Sequence, residues 1–262
     1  MNIIVLVKQV PDTTEMQVDK VTGTLMRETA DSITNPDDLA GVEAALQLRE
    51  KHGGKVTVVT MGPPQAKNML RELLAMGCDD AVLISDMKFA GADTWATSNT
   101  LAAFLKKVDF DLIIAGRQAI DGDTAQVGPQ TAEKIGLPQV TYVIEVIKCD
   151  KKSIVLRKQW EKDSEEIECP LPCIITTLGD MNKPRYMNMV DLQASFDKEI
   201  KVVTAADLDL PETHIGLGGS PTKVFKTFTK EVASETEVLT LPADQAAQAI
   251  FDLLKEKQIV TH

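Results

Sequence analysis

The sequence predicts an α/β protein built on a mostly parallel, doubly wound sheet, with an antiparallel extension and a C-terminal helical arm. Three observations predict it. Short β-branched runs without polar alternation recur up to about Thr141, as strands buried on both faces require. Segments with clear helical start and stop signals separate those runs, which is the alternation of βαβ units and a parallel sheet. Beyond Thr141 strands follow one another without intervening helices, and further on an amphipathic segment closes the chain.

Each element has its own justification. Residues 3–7 (Ile-Ile-Val-Leu-Val) are a continuous buried-strand run. They follow Met1-Asn2 with no basic region and no small-residue cleavage site, so they read as a strand and not as a signal peptide. The first helix opens at Asn35-Pro36-Asp37-Asp38. Asn35 suits the N-cap, Pro36 the first helical position, and the two carboxylates the positive end of the helix dipole. Val42, Ala45, Leu46 and Leu48 give it an apolar face, and Gly53-Gly54 stops it. Strand 56–60, helix 63–76 closed by Gly77, strand 81–84, helix 92–107, strand 112–115 and helix 123–135, ended by Gly136 and Pro138, continue the alternation. Strands 142–148, 153–158 and 173–177 then read as the antiparallel extension, with a charged turn at 162–166 before the last. These elements make residues 1–195 the main domain. Residues 196–224, with Pro211, Gly216, Gly218, Gly219, Ser220 and Pro221 close together, carry a linker signature. Residues 225–262 form the arm, whose helix 243–257 places Ala246, Ala247, Ile250, Leu253 and Leu254 at helical spacing. Such a helix either packs on a partner or docks on its own domain.

Composition excludes several functions. With 28 Lys+Arg against 39 Asp+Glu the net charge is −11, which opposes sequence-independent binding to nucleic acid and docking on an anionic membrane. No apolar run reaches the ~18–20 residues of a transmembrane helix, so no membrane insertion is expected. Aromatic residues are only 4%, too few for a base-stacking platform. The four cysteines, Cys78, Cys149, Cys169 and Cys173, are scattered, so buried thiols in a reducing, cytoplasmic setting are expected, with no disulfide framework and no metal site. The three histidines lie far apart, and Gly-x-Gly-x-x-Gly, P-loop and Gly-x-Ser-x-Gly motifs are absent. No nucleophile with its base is visible, so no catalytic side chain is assigned.

In open α/β sheets ligands bind beyond the carboxyl ends of the strands. Three stretches leave such ends: Val7-Lys8 and the loop through residue 13; Met61-Gly62; and the stretch 116–129, Gly-Arg-Gln-Ala-Ile-Asp-Gly-Asp-Thr-Ala-Gln-Val-Gly-Pro. In the last, Gly122 and Gly128 permit close approach of a ligand to the backbone, and the start of the helix offers N–H donors to an anion. Asp123 reads as an N-cap and Thr124 as a hydroxyl donor. Arg117 can fork onto a diphosphate, and Asp121 can accept from ribose hydroxyls. A nucleotide suits this mixture better than a bare phosphate; a solvated, capped turn accounts for it equally well. Lys8 reads as a surface lysine or a ligand contact, Asn35 first as a cap, and Thr94 as a cap or a donor.

These residues resemble the β subunit of electron transfer flavoproteins. The resemblance is carried by Val7-Lys8-Gln9-Val10-Pro11-Asp12-Thr13, Asn35-Pro36, Met61-Gly62-Pro63, Ala75-Met76-Gly77-Cys78-Asp79, the stretch from Gly116 to Thr124, Leu171-Pro172-Cys173, Pro184-Arg185-Tyr186 and the closing arm. It implies an adenine-nucleotide-hydrolase-like sheet. It also implies an adenine nucleotide held by Val7, Lys8, Asn35, Met61, Gly62, Thr94, Arg117, Gln118, Asp121, Gly122, Asp123, Thr124, Ala125, Gln126, Val127, Gly128 and Pro129. That nucleotide is AMP in conventional members and FAD in electron-bifurcating ones. The complete Val-Pro-Asp-Thr at 10–13 and the stretch 121–129 are closer to the bifurcating group. The implied partners are an α subunit with its own FAD, NADH, ferredoxin or flavodoxin, and a flavoprotein dehydrogenase such as one for an acyl-CoA. Arg185, Tyr186 and Met189 fall in the family's recognition loop for that dehydrogenase. Arg157 to Glu161 and Asp163 to Glu165 depart from the family's usual pattern in a surface turn. The competing classes are a stress-type nucleotide-sensing module, which is shorter and has a glycine-rich phosphate loop, and an ATP-cleaving enzyme of related fold, whose loop after the first strand is replaced here by Lys8-Gln9-Val10-Pro11.

Overall fold

In a computed structural model, which describes residues 1–12, 32–223, 238 and 240–260, the apolar runs lie side by side in one sheet. In chain order the elements are β1 (Asn2–Leu6), β2 (Gln9–Pro11), β3 (Ser32–Thr34), α1 (Pro36–His52), β4 (Lys55–Met61), α2 (Lys67–Ala75), β5 (Asp80–Ile84), α3 (Thr94–Leu105), β6 (Leu112–Gly116), α4 (Val127–Ile135), β7 (Gln139–Cys149), β8 (Ser153–Gln159), β9 (Ser164–Pro170), β10 (Cys173–Thr177), α5 (Met189–Asp197), β11 (Ile200–Val203) and α6 (Ala243–Glu256). The large sheet has the order β11-β5-β4-β1-β6-β10-β7-β8-β9, and β2 pairs with β3 apart from it. Within the large sheet every pairing from β11 to β7 is parallel, while β7–β8 and β8–β9 are antiparallel, as is the separate β2–β3 pair.

The strand period of two decides which face each side chain serves. Ile3 and Val5 of β1, with Leu112 and Ile114 of β6, join Val42, Leu46, Leu70 and Leu73 of α1 and α2 in one buried cluster. Ile4, Leu6, Ile113 and Ala115 point the other way, onto Leu101, Phe104 and Leu105 of α3 and Ala132 of α4. Strands covered on both faces explain why the central runs show no polar alternation.

Several expectations need correction. Residues 173–177 are not part of the antiparallel extension: β10 inserts between β6 and β7, parallel to both. Its residues Cys173, Ile174 and Ile175 are fully buried, as a central strand demands. The charged stretch 162–166 is a turn only at its start, because Ser164 already begins β9. The alternation of β9, with its acidic residues exposed, belongs to an edge strand protected by charge. Residues 196–223 are not a linker. They form β11 on the far edge of the sheet and bury Ile200, Val203, Leu208 and Ile215. The proline and glycine run there makes tight turns on the body, with Leu217 N donating to Ala90 O and Asp93 N to Ser220 Oγ, both at 2.9 Å. One compact unit spans Met1–Phe225 and a second Lys226–His262. Of the expected arm, residues 225–237, 239, 261 and 262 lie outside the described residues, as does Thr13 of the first loop. In α6, Ile250, Phe251 and Leu253 are exposed.

The first turn of α1 comes unusually close to the end of β6. Asp38 Oδ1 accepts from Gly116 N at 2.9 Å, and Asp38 Oδ2 accepts from Lys8 N at 2.7 Å. A Cβ at Gly116 would stand 2.1 Å from Asp38 Oδ1 and 2.8 Å from Asp38 N. Gly116→Ala is therefore expected to lower the unfolding free energy by ~1–3 kcal/mol, the usual cost of overpacking. Urea denaturation checks this, and an unchanged midpoint would show that the approach relaxes freely.

Candidate functional site

Chain order reverses beside β1. The chain runs from β1 to β4 and β5 on one side, then returns to β6 on the other, and the crevice beyond the carboxyl ends of β1 and β6 is the ligand position this topology provides. Lys8 follows β1 there, and the loop 117–126 follows β6.

The loop is held from two sides. Asn35, fully buried, does not cap α1 with its side chain, contrary to the first reading of it. Its Nδ2 donates to Gln118 O at 2.8 Å and its Oδ1 accepts from Ile120 N at 3.1 Å. An amide carries both a donor and an acceptor, so one side chain satisfies two main-chain groups of the loop. Lys8 Nζ donates to Asp121 Oδ1 at 2.6 Å. That pair is half-exposed, so its direct stabilisation is at most ~1 kcal/mol, but it neutralises one of the loop's carboxylates. Gln118 Nε2 donates to Asp123 Oδ1 at 2.8 Å. Asp123 and Ala125 have φ of 49° and 52°, a left-handed backbone seldom adopted outside glycine and a conformation that clusters at ligand sites.

Asp123 is not the N-cap it was expected to be. The helix starts four residues later, at Val127, and Gln126 occupies the cap position without a side-chain cap bond. Gln126 Oε1 instead accepts from Thr94 Oγ1 at 2.8 Å, which ties the starts of α3 and α4 together. Thr94 is itself not a cap, since Asp93 Oδ1 accepts from Ala96 N at that helix end. Gly128 lies against Thr176, where a Cβ would stand 2.7 Å from Thr176 Cγ2, so this glycine serves helix–sheet packing. Gly122 has nothing within 4 Å of a built Cβ, and residues 121–124 are exposed. Val7 is buried and reaches the crevice only through its backbone, with its N–H bonded to Val59 O at 2.9 Å. Met61 and Gly62 stand at the end of the adjacent strand, where Gly62 N donates to Ile84 O at 3.1 Å.

Arg117 turns toward β10 and β7. Its Nε lies 3.4 Å from Asp37 Oδ2, and its guanidinium lies 5.8 Å from the ring centroid of Tyr142. Both of those buried atoms lack a hydrogen-bond partner, so they face each other as an ion pair without hydrogen-bond geometry. Uncapped helix N–H groups, the Thr124 hydroxyl, a nearby guanidinium and an exposed glycine form a donor set that fits an anionic, hydroxyl-bearing ligand.

Two residues beside this loop have surroundings that no local sequence signal marks. Tyr142 has φ of 60° on a strand and flanks Arg117, and nothing in its neighbours announced either fact. Asp38 has the position of a solvated helix-dipole carboxylate, yet it is buried. Burial pushes its carboxyl up to about 7, against the hydrogen bonds from Asn35 and from the Lys8 and Gly116 amides.

Of the residues expected to meet a dehydrogenase, Tyr186 is 88% and Met189 78% exposed, while Arg185 is half-buried and paired with Glu43 and Glu50. Met189 begins α5, so the loop ends one residue before it.

Fold and site together define an α/β protein with a candidate ligand position at the switch point of its sheet. The family model described as "Electron transfer flavoprotein domain" matches residues 22–208. An electron transfer flavoprotein subunit beta of Clostridium acetobutylicum is 52% identical over 260 residues, covering 99% of this chain and 100% of that protein. The caffeyl-CoA reductase–Etf complex subunit CarD of Acetobacterium woodii is 48% identical over 263 residues, covering 99% and 100%. The acryloyl-CoA reductase electron transfer subunit gamma of Anaerotignum propionicum is 42% identical over 271 residues, covering 99% and 100%. The chain belongs to the electron transfer flavoprotein family, as a beta subunit. Among the described residues no helix is long and apolar enough to cross a membrane, and no group of metal-ligating side chains is found.

Two outcomes are expected. Asn35→Ala removes both bonds to the loop and leaves the Ile120 amide and the Gln118 carbonyl unsatisfied. It should destabilise the fold by ~1–3 kcal/mol and speed amide exchange in 117–124; unchanged exchange there would remove Asn35 from the site. For Asp38 the folded pKa lies above the unfolded value of 3.8. Its contribution to stability is therefore fully present below about 3.8, declines as pH rises and is lost above about 7. The slope is at most about 1.4 kcal/mol per pH unit. Urea midpoints measured between pH 4.5 and 7.5 should fall in the native chain and flatten in Asp38→Asn; parallel curves would contradict the assignment.

Proposed function

We propose that this chain is the electron-bifurcating kind of beta subunit and holds FAD in the crevice beyond β1, β4 and β6. The observation that carries this reading is the loop 117–126, braced by Asn35 and Lys8 at the switch point, in a chain of this family. When bound, FAD supplies the conversion between hydride and single-electron transfer, from NADH toward a low-potential acceptor such as ferredoxin or flavodoxin on one branch and the α-subunit FAD on the other.

The chain's own residues bind and orient. The start of α4, Thr124 and Arg117 meet the phosphates, with Arg117 released from its weak pair with Asp37. Asp121 and Asp123 accept from hydroxyls. Lys8 offsets the charge of Asp121, which lets an anionic ligand enter a loop that would otherwise repel it. Met61, Gly62 and Thr94 line the approach from the neighbouring strand and helix. The stretch 225–262 binds the α subunit, and Tyr186 with Met189 meets a flavoprotein dehydrogenase in the cytoplasm. The names of the relatives from Acetobacterium woodii and Anaerotignum propionicum, both tied to acyl-CoA reductases, support an acyl-CoA dehydrogenase as that partner.

The test is the cofactor count of the chain co-expressed with its α subunit: flavin per heterodimer by absorbance, AMP by chromatography of the denatured extract. Two FAD and no AMP are expected. One FAD with one AMP would make this a conventional beta subunit with a structural nucleotide, and no nucleotide on this chain would overturn the site. In the same system, deletion of 225–262 should abolish co-purification with the α subunit; full recovery of the complex would refute the arm's role.

A further inference from the structure

Beyond β10 the chain runs along α1 and bonds to it at successive turns. Thr177 Oγ1 donates to Asp37 O at 2.9 Å and Gly179 N to Asp37 Oδ1 at 2.8 Å. Asn182 Nδ2 donates to Ala40 O at 2.9 Å. Arg185 then closes on Glu43: its Nε donates to Glu43 Oε2 at 2.8 Å, its Nη2 to Glu43 Oε1 at 3.0 Å, and its backbone N to Glu43 Oε2 at 3.1 Å. Arg185 also pairs with Glu50, which is mostly exposed. Glu43 is buried, and Gln47 Nε2 donates to its Oε1 at 2.9 Å.

Positions 37, 40 and 43 share one face of α1. The helix whose first turn holds Lys8 and Gly116 through Asp38 thus carries, about 7.5 Å further along its axis, the carboxylate that fixes Arg185. The residue after Arg185 is the exposed Tyr186, and Met187, Met189 and Val190 are exposed beyond it. An apolar tip in water has no packing of its own to hold it, so its geometry depends on its root.

We infer that Glu43, acting through Arg185, is the positioning residue of the docking loop, and that α1 sets the placement of that loop relative to the ligand crevice. The inference rests on the reading that this loop meets a flavoprotein dehydrogenase. Arg185 is then a strut and not a contact to the partner, because its guanidinium is spent on Glu43 and Glu50 and its own amide on Glu43. A bidentate fork onto a buried carboxylate is the geometry lysine cannot reproduce. A loop ordered beforehand saves the ordering cost at encounter, so the clamp acts on affinity for the partner and little on turnover once bound.

The test uses the α–β heterodimer as electron acceptor and a purified short-chain acyl-CoA dehydrogenase, reduced by butyryl-CoA, as donor, with flavin absorbance as the readout. Glu43→Gln is expected to raise KM between heterodimer and dehydrogenase about tenfold, the equivalent of one charge-assisted hydrogen bond, with kcat within about twofold. Arg185→Lys should act alike and stands in if Glu43→Gln does not fold. Glu50→Gln should change KM less than about threefold, since its carboxylate is solvated. Trypsin should cut after Arg185 faster in Glu43→Gln, with cofactor content unchanged. A double variant, Tyr186→Ala with Met189→Ala, separates the two claims. If it raises KM while Glu43→Gln and Arg185→Lys do not, the positioning inference falls and docking stands. If the double variant leaves KM unchanged, the docking reading falls and takes the inference with it. Loss of kcat and cofactor together in Glu43→Gln would mark a general structural role and overturn the inference.

Discussion

A buried carboxylate joins the two central strands to the first helix. Asp38 sits in the first turn of α1 and accepts main-chain N–H groups from Lys8, two residues past β1, and from Gly116 at the end of β6. These strands are paired by a parallel ladder that ends at Leu6 and Ala115, so beyond it another group must tie the two segments together. One carboxylate with two oxygens does so, at the cost of burying an ionisable group. Much else follows from that contact. Gly116 must be glycine because the helix stands so near. Asn35, three residues before Asp38, comes within reach of Gln118 and Ile120. Lys8, held by its amide, aims its side chain across the crevice at Asp121.

The electrostatics of the crevice make sense only against the charge of the whole chain. At a net −11 the protein repels anions at long range, and screening reduces that field to about 8–10 Å in physiological salt. Local neutralisation therefore decides what the crevice accepts. Lys8 opposes Asp121, and Arg117 opposes Asp37 and rests against Tyr142. Neither pair is tight and dry, and neither cation is locked in the way Arg185 is locked by Glu43 and Glu50. The contrast separates cations in loose pairs beside the candidate ligand position from one that is committed to architecture.

Helix α1 also shows why one element can carry several tasks. It is covered on nearly every side: by the sheet through Val42, Ala45 and Leu46, by the crevice at its start, and by the segment after β10 along its flank. A helix covered in this way has no simple apolar stripe, and its buried polar residues, Asp38 and Glu43, each find fixed partners. Gly41 permits the close seat on the sheet, since a Cβ there would stand 2.9 Å from Ile114 Cγ2.

The sequence by itself determined what periodicity and local punctuation control. The four parallel strands β1, β4, β5 and β6, the helices between them, and the placing of the loop after β6 at a strand end all follow from β-branched runs, Asn-Pro and Gly-Gly signals and strand-end logic. Tertiary structure alone decided what depends on long-range neighbours. Residues 173–177 read as any short apolar strand, and only the packing of both faces places them at the centre of the sheet. The linker-like run of 211–221 has the composition of a free loop, yet Ile215 and Ser220 find burial and partners on α3. Asn35 and Asp38 have good local reasons to be a cap and a dipole partner, and those reasons lose to groups that lie about eighty residues away, on the far side of a crossover. A side chain's local preference amounts to ~1 kcal/mol, and an unsatisfied buried amide costs as much or more, so the fold reassigns the side chain.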